Sequence, residues 1–233
     1  MELGIRLERI ASMVDECNVM ADIGTDHAYI PIYLIKKGKC IRAIASDINK
    51  GPVEKAIKNI EAEGLEDKIE CRLGGGLSTI NAKEAETVVI AGMGGNLIRD
   101  IIETDKQVFK SLNSCILQPV QNPEVLRKYI YEQGYKIIDE ELCIEENKFY
   151  EIIKIKYDSK GRVVDSIYYE ISEKLIEKGH PLLKQYITYK LDKYYKVYNN
   201  LMEITGDTKN TRIRRYEVEI KINKLKEILK SCH

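Results

Sequence analysis

The stretch Ala21-Asp22-Ile23-Gly24-Thr25-Asp26-His27-Ala28 decides the fold. It begins as the end of an apolar run with the character of a β-strand, passes through a polar turn and leads into a helix-length apolar segment. Gly24 stands in the turn, where a residue without a side chain lets the backbone approach a ligand closely. The stretch therefore predicts a strand, a turn and a helix, with a ligand site at the turn.

The same alternation of strand and helix continues along the first 158 residues. Short apolar, β-branched runs predict seven strands, at residues 19–23, 43–47, 69–73, 88–91, 115–118, 135–139 and 149–157. Helices are predicted between them, for example at residues 52–63 and 123–133, where a proline opens the first turn. Only a short polar stretch joins the last two strands, so they should pair antiparallel. Five parallel strands followed by an antiparallel hairpin are typical of class I, Rossmann-like methyltransferases.

Four loops follow the first four strands at one edge of this predicted sheet, where open α/β sheets bind their ligands. We call them the first (residues 21–28), second (46–49), third (73–77) and fourth (90–95) loops. Asp47 in the second loop can accept hydrogen bonds from both hydroxyls of a ribose. The third and fourth loops are rich in glycine, which lets an adenine ring or an incoming base lie close to the backbone. The four loops together predict a nucleoside-binding edge.

Two other nucleotide-binding motifs do not fit the first loop. A dehydrogenase GxGxxG motif that begins at Gly24 would need glycines where Asp26 and Ala28 or Tyr29 stand. Asp26 would also put a negative charge in the space that a pyrophosphate fills. A P-loop is absent as well. S-adenosylmethionine has no phosphate and carries a cationic sulfonium, so an acidic first loop favours this cofactor.

The composition narrows the class of protein. The chain is 44% hydrophobic and 32% charged, as in ordinary globular proteins. No apolar run approaches the ~18 residues of a membrane span, and the first residues lack the pattern of a signal peptide. The six cysteines are scattered without a CxxC pair and are expected to be reduced. We expect a cytoplasmic protein with no membrane segment and no metal.

Charge is distributed unevenly along the chain. Residues 1–158 hold 21 Lys and Arg with 27 Asp and Glu, which gives a net charge of −6. Residues 159–233 hold 16 Lys and Arg with 10 Asp and Glu, which gives a net charge of +6. An acidic body with a basic tail is one way to bind a nucleic acid. We therefore expect a catalytic, cofactor-binding domain at residues 1–158 and a helical, RNA-binding domain at residues 159–233.

The tail has a helical pattern of its own. Apolar and tyrosine residues at alternating spacings of four and three predict two antiparallel helices with a coiled-coil-like seam, and Gly206 interrupts the pattern between them. The seam residues are Ile187, Leu191, Tyr194, Tyr198 and Leu201, then Val218, Ile222, Leu225 and Leu229. Residues 166–178 are expected to be helical as well. Arg212, Arg214 and Arg215 cluster just beyond the turn and are candidates for contact with RNA phosphates.

Several segments of this sequence resemble one known family. They are ADIGTDHAYIPIYL at 21–34, KGP at 50–52, AGMGGNLIRDII at 91–102, LQP at 117–119, LRKYIYEQGY at 126–135 and KFYEII at 148–153. The combination of GTDHAY with AGMGG resembles the TrmK family of bacterial tRNA (adenine-22-N1)-methyltransferases, over residues 3–157, and that family also has a two-helix tail. The resemblance implies transfer of a methyl group from S-adenosylmethionine to N1 of an adenine in tRNA.

The resemblance also implies roles for single residues. It places Gly24, Asp26 and His27 at the methionine end of the cofactor, Asp47 at the ribose, and Gly75, Gly76 and Leu77 around the adenine. Residues 92–95, which include Gly94 and Gly95, would face the target base. Further expected cofactor-binding residues are Asp22, Ile48, Ala91, Gly92 and Met93. Two residues depart from common patterns. Gly75 stands where many methyltransferases have an acid, and Val120 stands after LQP where the family commonly has Asn.

Asp26 and His27 are the predicted catalytic residues. Adenine N1 keeps an in-plane lone pair at neutral pH, so alignment matters more than a strong base, and no nucleophile is needed. Our hypothesis is that Asp26 orients the base through its exocyclic amine or stabilises the charge that develops on the ring, while His27 supports the loop. Two other functions stay open: a methyltransferase for small molecules or other RNAs, and a non-catalytic protein that binds the cofactor or RNA.

Overall fold

The computed structural model describes residues 2–204 and 208–232 of the chain. The chain consists of two compact units, Met1–Val164 and Asp165–His233. The division falls after Val164 rather than after residue 158, because the segment after the last strand hydrogen-bonds back to the first unit. The backbone N–H of Arg162, for example, donates to the carbonyl of Tyr131 in the first unit.

One seven-stranded sheet forms the centre of the first unit. Its strands are β1 (Cys17–Ile23), β2 (Cys40–Asp47), β3 (Ile69–Leu73), β4 (Thr87–Gly94), β5 (Ser114–Gln121), β6 (Tyr135–Glu145) and β7 (Lys148–Tyr157). Their order across the sheet is β3-β2-β1-β4-β5-β7-β6. Strands β1 to β5 are parallel, and β7 pairs antiparallel with both β5 and β6. The predicted class I sheet, with five parallel strands and a hairpin, is confirmed.

Most strands are longer than the sequence predicts. Strand β3 has its predicted bounds, but β6 runs on to Glu145 instead of ending at residue 139. Residues 140–145 read Glu-Glu-Leu-Cys-Ile-Glu, and so many acidic residues do not indicate a strand from sequence alone. They are held in the sheet by the backbone ladder with β7, while Leu142 and Cys143 are buried.

Helices cover both faces of the sheet. They are α1 (Ile5–Met13), α2 (Tyr29–Lys36), α3 (Lys50–Ala62), α4 (Gly95–Thr104), α5 (Lys106–Lys110) and α6 (Pro123–Glu132), with a 3₁₀ turn at Gly76–Thr79. Helices α1 to α3 share one hydrophobic core with alternate residues of the strands, such as Val89 and Ile116. Helices α4 and α6 bury Ile98, Ile102 and Leu126 on the other face.

A charged cluster is buried under α6. Arg127 is fully buried, and its guanidinium donates to Glu140 at 2.9 Å and also to Glu151. Both carboxylates come from the hairpin of β6 and β7. The cluster therefore ties α6 to the antiparallel end of the sheet.

The two outer strands of the sheet are irregular or charged. Strand β3 has only 5 residues, and its Arg72 pairs with Glu70 and Glu84. At the other side, the pairing of β6 shifts register between Ile137 and Asp139, which is a β-bulge. Neither outer strand is both long and regular.

The second unit is helical. Its helices are α7 (Ile167–Glu170), α8 (Glu173–Glu177), α9 (Leu183–Glu203) and α10 (Lys209–Ser231). The segment at 166–178, expected to be helical, forms two short helices that are divided at Ile171 and Ser172. The hydroxyl of Ser172 accepts a hydrogen bond from the Lys174 N–H and so begins a new helix. Gly206, which interrupts the pattern in the sequence, lies outside the described residues.

The predicted seam holds α9 and α10 together. Ile187, Leu191, Val218, Ile222 and Leu225 are buried. Tyr194, Tyr198, Leu201 and Leu229 are half-buried. Among the described residues, none of the helices combines the length and apolar character needed to cross a membrane.

Buried charge also connects the helices of the second unit. Glu170 is buried and lies 3.2 Å from the Lys190 ammonium and 2.6 Å from that of Lys221. Burial alone would raise the pKa of Glu170, but the two lysines and a hydrogen bond with Tyr194 lower it to about 2. The carboxylate is therefore ionised at every physiological pH and links α7 to both long helices.

Candidate active site

A cavity of about 320 Å³ opens at the carboxyl ends of β1 and β4. Its lining residues are Arg6, Leu7, Asp22, Gly24, Thr25, Asp26, His27, Tyr29, Ile30, Ala91 and Gly92. The first and fourth loops therefore meet here, together with helix α1 from the start of the chain. Among the described residues, no group of three or more His, Cys, Asp or Glu is arranged to hold a metal ion.

The backbone of the first loop is fixed by local hydrogen bonds. The N–H groups of Gly24 and Thr25 both donate to the Ser46 carbonyl, at 2.8 and 2.9 Å. The Thr25 hydroxyl accepts from the N–H of Ala28, which has a left-handed conformation with φ of 54°. The first loop is therefore anchored to the second loop and turned sharply into α2.

Gly24 is required by its conformation, and it is packed closely against the flexible end of Met93. Its φ of 78° lies in the left-handed region that favours glycine. A Cβ atom at this position would collide with the terminal methyl group of Met93 in the fourth loop. Gly24 and Met93 thus pack the first loop against the fourth.

Asp22 is the buried acid of the site. Its side chain lines the cavity, although the residue is only 7% exposed. Burial raises the pKa of Asp22 from 3.8 to about 6, with a smaller rise from Asp47 and an opposing hydrogen bond with Thr25. An acid that is costly to ionise and faces a cavity is well suited to bind a cationic group.

Asp26 and His27 lie side by side at the mouth of the cavity, in contact with residues of helix α3. The Asp26 carboxylate is 62% exposed and lies 3.2 Å from Nε2 of His27 and 3.3 Å from the Lys55 ammonium. The His27 ring stacks on Tyr29, with centroids 4.8 Å apart and planes within 7°. Asn59 donates to the His27 carbonyl at 3.0 Å. Tyr29, Lys55 and Asn59 were not predicted from the sequence.

The second and third loops lie beside the cavity but do not line it. Asp47 is half-buried, and its carboxylate accepts from the Asn49 N–H at 2.7 Å. Its carbonyl accepts from the N–H of Gly74, which joins the two loops. Ile48 is 69% exposed and packs near Gly75, where an added Cβ would lie 3.2 Å from its Cδ1 atom. These residues leave an open apolar surface next to a carboxylate.

Two residues of the third loop are set by packing. Gly76 has a φ of 57°, and an added Cβ would lie 3.3 Å from Ile101 of helix α4. Leu77 is fully buried, so its side chain belongs to the core and only its backbone can face a ligand. The Thr79 hydroxyl donates to Ser46 and ties the 3₁₀ turn to β2.

The fourth loop packs against strand β5 and the residue that follows it. Gly92 has a φ of 78°, and its N–H donates to Gln118 Oε1 at 3.2 Å. The pairing of β4 with β5 shifts register around Met93, which lifts the loop away from a regular ladder. Gly95 is buried, and an added Cβ would collide with the carbonyl of Asn122. Its missing side chain therefore leaves room for the protein backbone, whereas Gly94 has open space around it.

Arg6 and Gln118 are site residues that the sequence did not indicate. The Arg6 guanidinium donates to Gln118 Oε1 at 2.8 Å, so one amide oxygen holds both Arg6 and the Gly92 N–H. Arg6 also lies 3.7 Å from Glu145 and over the ring of Tyr150. No local motif marks Arg6, because its partners are more than 100 residues away in the chain.

The predicted RNA-contacting arginines lie in the second unit and differ in their surroundings. Arg212 and Arg214 are exposed, and Arg214 lies 3.2 Å from Glu217 of the same helix. Arg215 is half-buried and donates to the Leu201 carbonyl at 3.1 Å. Arg215 thus joins α9 to α10, and the other two leave their side chains open to solvent.

Comparison with known proteins assigns the family. A model of the tRNA (adenine(22)-N(1))-methyltransferase family TrmK matches residues 20–227. The tRNA (adenine(22)-N(1))-methyltransferase of Bacillus subtilis (strain 168) is 32% identical over 236 residues, which cover 98% of each chain.

Solved structures agree with this assignment. The crystal structure of the B. subtilis m1A22 tRNA methyltransferase TrmK superimposes with a TM-score of 0.88 at 30% identity, covering 98% of this chain and 99% of that one. Streptococcus pneumoniae Sp1610 in complex with S-adenosyl-L-methionine gives a TM-score of 0.84 at 30% identity, covering 98% of this chain and 100% of that one. With its sheet, its loops and nearly its whole length matched, the chain belongs to the TrmK family of tRNA (adenine(22)-N(1))-methyltransferases.

Proposed function

We propose that this protein transfers a methyl group from S-adenosyl-L-methionine to N1 of adenine 22 in tRNA. The observation that carries the proposal is the acidic first loop at the 320 Å³ cavity, in a chain that matches a tRNA (adenine(22)-N(1))-methyltransferase over 98% of its length. A tRNA substrate would place the protein in the cytoplasm. Residues 1–158 would hold the cofactor and carry the reaction, and residues 159–233 would bind RNA.

The residues at the cavity fit S-adenosyl-L-methionine. Its methionine end carries an ammonium and a carboxylate, and the cavity offers Asp22 and Arg6, one for each charge. Asp47 would accept hydrogen bonds from the ribose hydroxyls, and the open surface of Ile48 and Gly75 would pack on the adenine ring. When bound, this cofactor supplies an electrophilic methyl group on a cationic sulfur.

The protein's part in the reaction is alignment. Adenine N1 has an available lone pair, so the residues present need to position the base rather than deprotonate it. Gly94 leaves space for the base beside the fourth loop, and Asp26 is exposed at the cavity mouth where it can accept from the exocyclic amine. In paired RNA the N1 edge is hidden, so the adenine must be unpaired or flipped out of its stack.

The elevated pKa of Asp22 predicts a pH dependence of cofactor binding. A protonated Asp22 cannot pair with an ammonium, so affinity should be constant above pH 6 and fall below it, approaching tenfold per pH unit. Calorimetric titration of S-adenosyl-L-methionine between pH 5 and 8 measures this. The Asp22→Asn variant should bind more weakly at pH 8 and show no such slope.

The same pKa has a consequence for folding without ligand. Because the pKa of Asp22 is higher in the folded protein than the 3.8 of the unfolded chain, its stabilising contribution is complete below pH 3.8 and is lost as the pH rises through 6. A bound cation should restore part of this lost stability.

The binding prediction has a clear contrary result. If the affinity of the wild-type protein for S-adenosyl-L-methionine stays constant down to pH 5, Asp22 does not contact the ligand's ammonium.

Arg212 and Arg214 should matter for tRNA binding. Replacing both with alanine should weaken binding of unmodified tRNA about tenfold and reduce the dependence of log Kd on log salt by about one for each phosphate that the variant no longer binds. Cofactor affinity should not change. The matched control is Lys68→Ala with Lys136→Ala, which removes the same charge from exposed positions at the amino-terminal edge of the sheet. Equal effects of the two double variants would count against a specific role.

The proposed function is tested by one incubation. The protein is mixed with methyl-labelled S-adenosyl-L-methionine and unmodified bacterial tRNA, and the nucleosides are analysed. We expect 1-methyladenosine, and none when adenine 22 is replaced by guanine. Cofactor binding without a methylated nucleoside would favour a small-molecule or other-RNA methyltransferase, and binding of cofactor or tRNA with no turnover on any substrate would favour a non-catalytic protein.

A further inference from the structure

Two cysteine side chains touch at the amino-terminal edge of the sheet. Cys17 is the first residue of β1 and Cys40 is the first residue of β2, and the two are direct partners in the parallel pairing of these strands. Their Sγ atoms lie 3.3 Å apart. The strand register thus brings together two thiols that are 23 residues apart in the chain, which the spacing of the cysteines in the sequence does not reveal.

The backbone at this pair suits a disulfide bond. Neighbouring strands lie about 4.7–4.9 Å apart, and disulfides usually join Cα atoms that are about 4.4–6.8 Å apart. The side chains of Cys17 and Cys40 already lie against each other, on the same side of the sheet. Their sulfurs need to approach by only about 1.3 Å to reach the usual S–S bond length of about 2.05 Å. The bond can therefore form without a change in the pairing of β1 with β2.

The two thiols differ in their exposure and in their acidity. Cys17 is half-buried, whereas Cys40 is only 4% exposed, so a small reagent reaches the pair from the side of Cys17. The pKa of Cys40 is lowered, because the Cys17 S–H donates to its sulfur; burial opposes this effect and the nearby Lys39 ammonium adds to it. The contact therefore favours the thiolate, which is the reactive form of a cysteine.

We propose that Cys17 and Cys40 form a redox modification site, which hydrogen peroxide converts into an intramolecular disulfide. One thiolate attacks a peroxide oxygen, the O–O bond breaks, and the sulfur becomes a sulfenic acid while hydroxide leaves and takes up a proton. The second cysteine then attacks the sulfenic sulfur, so the S–S bond forms and water leaves. In total, the two thiols give two electrons and two protons to one peroxide, which becomes two molecules of water.

The site is separate from the cofactor cavity and does not rest on the proposed function. Cys17 stands five residues before Asp22 on β1, which is roughly 16 Å along the strand. The disulfide should therefore change the affinity for S-adenosyl-L-methionine by less than twofold. It should raise the Tm by a few degrees, because the cross-link limits the freedom of the unfolded chain between residues 17 and 40.

The test uses the full-length protein and hydrogen peroxide. The reduced protein is freed of reductant and treated with peroxide, the remaining thiols are blocked with N-ethylmaleimide, and the protein is digested without reduction for mass spectrometry. We expect the peptide that contains Cys17 to be joined to the peptide that contains Cys40. Dithiothreitol should separate the two peptides, because a disulfide is reduced by thiols whereas a sulfinic acid is not.

Three single variants serve as controls. Cys17→Ser and Cys40→Ser each remove one sulfur of the pair, so neither should form an internal disulfide or gain stability on oxidation. Cys71→Ser is the matched control, because it removes a half-buried thiol from the neighbouring strand β3 and leaves the pair intact. It should form the disulfide between Cys17 and Cys40 as the wild type does. If the buried position does not tolerate Cys40→Ser, the half-buried Cys17→Ser tests the same bond.

Three results would overturn the proposal. One is a folded wild-type protein in which Cys17 and Cys40 stay open to N-ethylmaleimide while peroxide oxidises other cysteines. Another is the same mixture of cysteine pairings in the folded protein as in protein oxidised in urea, which would show that the strand register does not select the pair. The third is a lower Tm in the oxidised protein, which would mean that the bond forms only when the two strands are distorted.

Discussion

Replacing Asp26 with alanine should lower the rate of tRNA methylation by about 10² to 10³-fold, the usual effect of removing one group that stabilises developing charge. The fold should be unaffected, because the Asp26 side chain is 62% exposed and its contacts with His27 and Lys55 lie at the surface. The measurements are single-turnover kinetics with saturating cofactor and thermal unfolding of the same preparations.

The Asp26→Asn variant separates the two roles considered for this residue. Asparagine still accepts a hydrogen bond from the exocyclic amine of adenine but carries no charge. A rate near that of the wild type would indicate orientation, whereas a rate as low as that of Asp26→Ala would indicate charge stabilisation. Asp67→Ala, an exposed acid at the opposite edge of the sheet, is the control for loss of one charge. A normal rate in Asp26→Ala itself would remove Asp26 from the mechanism.

Replacing Arg127 with methionine should lower the free energy of unfolding by about 3–5 kcal/mol. The variant leaves the buried carboxylates of Glu140 and Glu151 without their guanidinium, and both lie between α6 and the hairpin. Urea unfolding followed by circular dichroism measures the change. The comparison is Arg99→Ala. The ion pair of Arg99 with Asp100 is exposed, so its loss should lower the free energy of unfolding by less than about 1 kcal/mol.

A compensated variant tests whether the destabilisation comes from charge or from shape. Changing Glu140 and Glu151 to glutamine in the Arg127→Met background removes the uncompensated charges and should restore part of the stability. An Arg127→Met protein as stable as the wild type would mean that the cluster contributes no net stability.

The sequence predicts the sheet well because its signals are local. Each parallel strand is a short apolar run followed by a turn, and the acids and glycines of the four loops stand next to those runs. The strand ends were less predictable. In β6, cross-strand pairing with β7 overrides the weak strand propensity of residues 140–145.

The parts of the site that were missed come from distant segments. Arg6 and Gln118 are 112 residues apart, and Asn59 is 32 residues from His27, so only the folded chain brings them together. Packing also accounts for the side chains at two expected site residues. Leu77 and Gly95 stand in loops with ligand-like sequences, but one fills the core and the other makes room for the Asn122 carbonyl.

The outer strands of the sheet bear on how this protein behaves at high concentration. A long, flat edge strand is a template on which a second molecule can add its own strand and begin a fibre. Here one edge is the 5-residue β3 with its paired charges at Arg72, and the other carries the bulge at Ile137 and Asp139. Edge-to-edge pairing of sheets from two molecules is therefore disfavoured, and concentrated stocks should resist this route to aggregation.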